Sequence, residues 1–385
     1  MGRRRAVAGH PSFESLAAAG VRALRPYLPG KPVEELERES GIRDSIKLAS
    51  NENPLGPPAS AVAAIHAAAQ GVALYPDGAG YDLKQKLADR LGVPADWLTL
   101  GNGSNDVLAM LAETFLQPGC EAVYDQHGFV MFALVVQATG ATGRPAASLP
   151  ADHPAQPLGH DPEAMLDCVG PETRLLFIAN PNNPTGSWLD RDAVRGLLDR
   201  LPADLIVVLD EAYTEYVDEA DYPDGLELMR RYPNLVVTRT FSKVYALAGL
   251  RIGYAVAHPE ITELLNRVRQ PFNTNLVAQQ AAMAALDDQA FVRKAAELNR
   301  AGLKQLSAGL TELGLRPLPS AGNFVLVDVG EPAGPCYEAL LRSGVIVRPV
   351  ANYGLPDYLR ITVGLPEQNE RVLQVLGEYL AGRGS

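Results

Sequence analysis

The chain contains seven lysines, and six of them (Lys31, Lys47, Lys84, Lys86, Lys294, Lys304) lie in polar or helix-face surroundings. Lys243 differs. It sits among Phe241, Val244, Tyr245 and Leu247, just after an apolar run at 234–238 of the kind that makes a buried strand. An ammonium is costly to bury without partners, and burial lowers a lysine pKa from its usual value of about 10.4. The amine then becomes a nucleophile suited to an aldehyde. Ser242 beside it and Arg251 eight positions on could both hold a phosphate. Taken alone, the segment reads equally well as a lysine snorkelling out of a strand end.

Other segments carry matching chemistry. The apolar run 205–209 ends in Asp210-Glu211-Ala212-Tyr213, which delivers a carboxylate where open α/β sheets bind ligands; a helix N-cap is the competing role for such an Asp. Asn180-Pro181-Asn182-Asn183-Pro184-Thr185-Gly186 makes a rigid loop with its amides held outward. Gly101-Asn102-Gly103-Ser104-Asn105-Asp106 leads from a strand into a helix, and free N–H groups there can hold an anion. It lacks the dinucleotide spacing and the Walker-type lysine, so nicotinamide cofactors and ATP fit poorly. Phe129 could lie against an aromatic cofactor or simply pack in the core.

These segments need elements to position them. From Trp97 onward, short apolar runs alternate with amphipathic helices. Strands are expected at 97–100, 122–124, 175–178, 205–209, 235–238 and 252–257, with helices at 59–70, 82–91, 192–200 and 278–286. Such alternation predicts the α/β class, a mainly parallel sheet covered on both faces. After Asp287 the texture changes to a helix over 291–313, strands at 324–328, 345–348 and 358–363, and a helix at 335–342, a smaller α+β unit. The domain expectation is an arm at 1–46 packing with the small unit, a large unit at 47–275 and a small one at 276–385.

Composition narrows the class. The chain is 385 residues long, 47% hydrophobic and 21% charged, with net charge −11. This balance argues against a nucleic-acid surface and for a soluble protein with local basic pockets. Its longest apolar run, Phe129 to Val136, is too short to span a bilayer. Arg3-Arg4-Arg5 is followed by no apolar core, so it is not a secretory signal. Cys120, Cys168 and Cys336 have no metal-type spacing and suit a reducing cytoplasm. His153 and His160 bracket a Pro/Gly-rich loop, and no metal is expected there.

Taken together, Ser50–Pro57, Tyr75–Tyr81, Asn180–Gly186, Asp210–Tyr213 and Ser242–Gly253 resemble, in order, the motifs of pyridoxal-phosphate enzymes of the aspartate-aminotransferase fold. Within these the chain is most similar to the histidinol-phosphate aminotransferases. The resemblance implies fold type I and pyridoxal 5'-phosphate as cofactor. It implies that Lys243 is linked to the cofactor aldehyde as a Schiff base and moves the substrate proton, and that Asp210 faces the pyridine nitrogen. Tyr213 and Asn183 would bond the phenolic oxygen, with Phe129 stacked on the ring. The phosphate would be held by Ser104, Asn105, Ser242 and Arg251, and by Tyr75 from a second subunit of a homodimer. Tyr27, Asn53, Arg348 and Arg360 would meet the substrate, the arginines taking its anionic group. The family more often has Tyr where Phe129 stands, and His127 is also atypical. The implied activity is amino transfer between L-histidinol phosphate and 2-oxoglutarate in histidine biosynthesis, in the cytoplasm. The alternative is an aromatic amino-acid aminotransferase, since an anion site and a planar ring pocket also fit phenylalanine or tyrosine; a third is a phosphothreonine decarboxylase, which shares the motifs. The cofactor-sensing half of a transcription regulator would need a winged-helix domain that the stretch before Tyr27 is too short to supply.

Overall fold

The structure is a computed structural model that describes residues 13–26, 30–330 and 332–383. Its thirteen strands are β1 (Ile46–Lys47), β2 (Leu98–Gly101), β3 (Glu121–Asp125), β4 (Thr142–Ala146), β5 (Thr173–Ala179), β6 (Ile206–Asp210), β7 (Leu235–Thr240), β8 (Gly253–Val256), β9 (Arg316–Pro317), β10 (Phe324–Asp328), β11 (Val345–Ile346), β12 (Arg348–Val350) and β13 (Leu355–Thr362). Seven of them form one sheet in the order β2-β8-β7-β6-β5-β3-β4. All are parallel except β8, which runs against both β2 and β7. The expected mainly parallel α/β sheet is present, and the carboxyl ends of β3, β5, β6 and β7 share one edge.

The apolar runs make central strands because both faces need covering. Leu176, Ile178, Val207, Leu209, Leu235 and Val237 pack into one core cluster. The alternate residues Leu175, Phe177, Val208 and Val236 join a second cluster on the other face. Each fully buried Leu, Ile or Val contributes roughly 1.5–3 kcal/mol relative to exposure. On the first face lie the alanines of Leu276–Asp287, a helix packed along Ala59–Ala68. On the second lie Ser104–Phe115 and Val130–Ala138, so the apolar run at Phe129–Val136 is a helix against the sheet.

A four-stranded antiparallel sheet, β12-β13-β10-β9, carries its own cluster, in which Val325, Val327, Leu359 and Ile361 meet Leu306 and Leu310 of Gln289–Glu312. Pro366–Arg383, which periodicity did not single out, adds Val372 and Leu376. The stretch 345–348, expected as one strand, is split. β11 pairs with β1, whereas β12 pairs with β13. The edge strand β4 was also not expected, because Thr142-Gly143-Arg144-Pro145-Ala146 is half-exposed and has no apolar run. Among the described residues, no helix is long and apolar enough to cross a membrane.

Candidate active site

The shared strand edge opens into a cavity of about 260 Å³, lined by Asp210, Tyr213, Lys243, Ser242, Arg251, Ser104, Asn105, Phe129, Asn183 and Arg360 among others. Ser104 and Arg360, 256 positions apart (360 − 104) in sequence, thus meet in one space.

Asp210 is the last residue of β6, and Thr238 lies opposite it on β7. Thr238 Oγ1 donates to Asp210 Oδ1 at 2.9 Å. Burial pushes the Asp210 carboxyl up to about 6, with Thr238 and Lys243 pulling the other way and the charge of Glu211 adding to the rise. Lys243 follows the end of β7, and its Nζ donates to Ser50 O at 3.1 Å, lying 5.7 Å from the Tyr213 ring centroid. Burial lowers the Lys243 amine to about 7; Arg360 and Arg251 lower it further, and Glu52 and Asp210 oppose them. A buried amine near neutrality is the state a nucleophilic lysine needs.

Tyr213 is buried, and its hydroxyl accepts from Asn51 Nδ2 at 2.8 Å. Burial pushes that phenol well above its ordinary value. Asn51 adopts a left-handed backbone (φ 56°); its backbone N–H donates to Thr362 Oγ1, which in turn donates to Asn51 Oδ1. Asn183 Oδ1 accepts from Arg360 Nη1, while Arg360 Nη2 donates to Ala49 O. Arg348 is buried across the antiparallel ladder from Arg360. Paired positions across the ladder put two like charges on one face of the sheet, and an anion beside them offsets that.

At another end the helix Ser104–Phe115 begins after Gly103, and no side chain caps its first N–H groups. Gly103 has φ 84°, and a Cβ there would lie 2.4 Å from Arg251 Nη2. Only glycine lets the guanidinium tuck beside the helix start. Ser242 Oγ accepts from Thr240 Oγ1 at 3.0 Å and from Arg251 Nη1 at 3.4 Å, so its own proton is left to donate. Backbone N–H groups, a hydroxyl and a guanidinium converging in this way fit a phosphate. Of these, the charge-assisted bond, roughly 1.5–3 kcal/mol, outweighs the helix dipole at ~0.3–1 kcal/mol.

Phe129 lines the cavity and meets Phe132 edge-on at 5.8 Å. The turn before it is fixed by Asp125, whose Oδ1 accepts from His127 N at 2.7 Å and Ser148 Oγ at 2.8 Å, and whose Oδ2 lies 3.2 Å from His160 Nδ1. Burial works against the His160 imidazolium, but the bond and charge of Asp125 outweigh it and push its pKa up. His160 is therefore half of a buried pair with Asp125, the residue that fixes the turn before Phe129. His127 Nδ1 bonds Tyr353 O at 2.7 Å, joining this turn to the smaller sheet.

The structure places several expected residues away from the cavity lining. Asn53 is committed to backbone, its Nδ2 donating to Val244 O and its Oδ1 accepting from Leu55 N, and the loop residues that line the cavity are Ser50, Asn51 and Glu52. Tyr75 is 81% exposed and stacked on Phe272, outside this chain's cavity. Arg348 also lies off the lining, although a Cβ on Gly30 would sit 3.9 Å from its Nη1 and 3.6 Å from Ser50 Oγ. Tyr27 falls outside the described residues. Thr238, Asn51 and Glu52 were not picked out from sequence. Strand register could have flagged Thr238, since it faces Asp210 across the ladder.

The chain resembles known proteins along almost its whole length. The chain is 52% identical over 371 residues to histidinol-phosphate aminotransferase 2 of Pseudomonas aeruginosa, covering 96% of this chain and 99% of that protein. It superposes with a TM-score of 0.87, at 30% identity and over 96% of this chain and 98% of the other, on histidinol-phosphate aminotransferase from Sinorhizobium meliloti in complex with pyridoxal-5'-phosphate. Aspartate aminotransferase from Thermus thermophilus with maleate matches at a TM-score of 0.80 and 25% identity, over 95% of this chain and 99% of that one. The fold is type I of the pyridoxal-phosphate-dependent transferases. The family described as aminotransferase class I and II matches residues 43–376, and the chain belongs to that family.

Proposed function

We propose that this protein is a pyridoxal 5'-phosphate-dependent aminotransferase that moves an amino group between L-histidinol phosphate and 2-oxoglutarate in histidine biosynthesis. One observation carries the reading. Lys243 and Asp210 line a single cavity that has an anion cup at Ser242–Arg251 and a second arginine, Arg360, elsewhere on its wall. The relatives named above as histidinol-phosphate aminotransferases support the choice of donor.

When bound, the cofactor supplies an aldehyde for an amine and a ring that takes up electrons released at the substrate Cα. Lys243 would hold that aldehyde, and its amine, near neutrality, would be suited to moving the proton at the substrate Cα. Asp210, held by Thr238, keeps a proton on the ring nitrogen. Tyr213, held by Asn51, and Asn183 orient the ring oxygen, and Phe129 covers the ring face. Ser104, Asn105, Ser242 and Arg251 grip the phosphate. Arg360, with Arg348 beside it, takes the anionic group of either substrate, because a guanidinium pairs phosphate and carboxylate alike. Tyr27 closes over the substrate from the arm, and Asn53 acts through the loop it pins rather than by contact.

In this reading Tyr75 reaches the phosphate of a second copy, so the working unit is a cytoplasmic homodimer. The exposed apolar side chains Val72, Leu74, Tyr75, Tyr81 and Phe272 support a partner at that surface. The arm 1–46, the large unit 47–275 and the small unit 276–385 are its proposed divisions, with the helix Leu276–Asp287 at the seam. The test compares kcat/KM for histidinol phosphate and phenylalanine with 2-oxoglutarate as acceptor. A site that pairs a phosphate is expected to favour histidinol phosphate by several powers of ten; a preference for phenylalanine overturns the reading.

A further inference from the structure

The cavity wall carries two carboxylates, Asp210 and Glu52, against the cations Lys243, Arg251 and Arg360. Asp210 is buried and tied to Thr238. Glu52 is half-buried, two residues from the carbonyl that accepts from Lys243. Its neighbours are turned into the protein. Asn51 is bonded to Tyr213 and Thr362, and Asn53 to Val244 and Leu55. The loop is thereby clamped on both sides of Glu52, which is left as the acid on this part of the wall. Its Oε1 accepts from Lys47 Nζ at 2.7 Å. A carboxylate has about four acceptor positions, so one ammonium does not exhaust it. It shares the cavity wall with the Lys243 amine, whose pKa its charge raises.

We propose that Glu52 is the specificity residue that reads a basic ring on the substrate, by accepting a hydrogen bond from an imidazole N–H. This rests on the reading of the site given above and adds what separates histidinol phosphate from an uncharged aromatic donor. Arg360 and Arg251 can hold anions but offer nothing to a ring N–H, since a guanidinium has no acceptor. An imidazole, with a pKa near 6.5, holds its proton more tightly beside a carboxylate, and the bond becomes charge-assisted. A phenyl ring has no N–H to give, and next to Glu52 it strips water from the carboxylate without replacing it.

The test uses the dimeric holoenzyme. Glu52→Gln is expected to lower kcat/KM for histidinol phosphate by about 10–100-fold, the worth of one charge-assisted bond. The loss should fall mainly in KM, and kcat/KM for phenylalanine should not fall. Glu52→Asp, which keeps the charge on a shorter stem, should lose less than the Gln variant. Lys47→Gln removes the ammonium partner while keeping the acid, and should hold the donor ratio within about threefold, as a rim ion pair contributes little. An equal fall with both donors, no change with either, or a larger loss for Asp than for Gln overturns the assignment of Glu52. If the wild-type enzyme itself fails to turn over histidinol phosphate, it is the reading of the function that falls, before any variant is compared.

Discussion

Loss of water and two nearby guanidiniums act on the Lys243 amine in the same direction, and they set when it can react. With its folded pKa near 7 against an ordinary 10.5, the amine is charged in both folded and unfolded chains below pH 7, where the cost of burying the charge is fully present. As pH rises from 7 towards 10.5 the unfolded chain binds the extra proton, so this group adds stability to the cofactor-free protein. Asp210 has the opposite sign over a lower window. Its pKa rises from 3.8 to about 6, so the stability it contributes is lost as pH climbs through that range. The rate at which cofactor-free protein captures pyridoxal phosphate should therefore climb about tenfold per pH unit up to pH 7 and then flatten. Stopped-flow absorbance would follow it. A rate still climbing at pH 10 would mean that the amine is not depressed.

At the scale of elements, the helix Ser104–Phe115 and the turn carrying Arg251 must approach closely, and Gly103 is what permits it. Gly103→Ala is expected to cost about 1–3 kcal/mol through its positive φ and the displaced guanidinium, and to release cofactor on dialysis faster than wild type. Thermal unfolding and residual visible absorbance after dialysis measure the two effects. A variant with unchanged retention would show that Arg251 can move without loosening its grip. The strands ending at Asp210 and Thr240 were legible in the sequence, because a β-branched run buried on both faces leaves a local pattern. So were the Asn-Pro loop and the glycines before Ser104. What escaped was set by distant partners. β4 is held by pairing to β3 rather than by its own side chains, and the break at Val347 exists because β1 claims Val345–Ile346 while β13 claims Arg348. The different roles of Asn53 and Asn51 were hidden for the same reason. Nothing local distinguishes two asparagines whose partners, Val244 and Tyr213, lie more than a hundred residues away.

For the whole molecule, the proposed second copy is the open element. Tyr75 and Phe272 stack at 4.6 Å on a surface where Leu74 and Tyr81 are also exposed. Phe272→Glu puts a charge in the middle of that patch and should convert a dimer to monomer in sedimentation velocity, with loss of bound cofactor as the Tyr75 contact goes. If the variant remains dimeric and keeps its cofactor, the interface lies elsewhere.

The pocket is stitched from both extremities of the polypeptide: the carbonyl of Ala49 meets the Arg360 guanidinium, and the Asn51 amide meets the Thr362 hydroxyl, each across 311 residues. During synthesis the parallel sheet can form while these partners are still missing. The emerging chain therefore carries an unfinished hollow with Lys243 already in place and no arginine at 360 to complete the wall. The wall that Arg360 completes, and with it the proposed seat for the substrate's anionic group, is finished only once translation has passed β13.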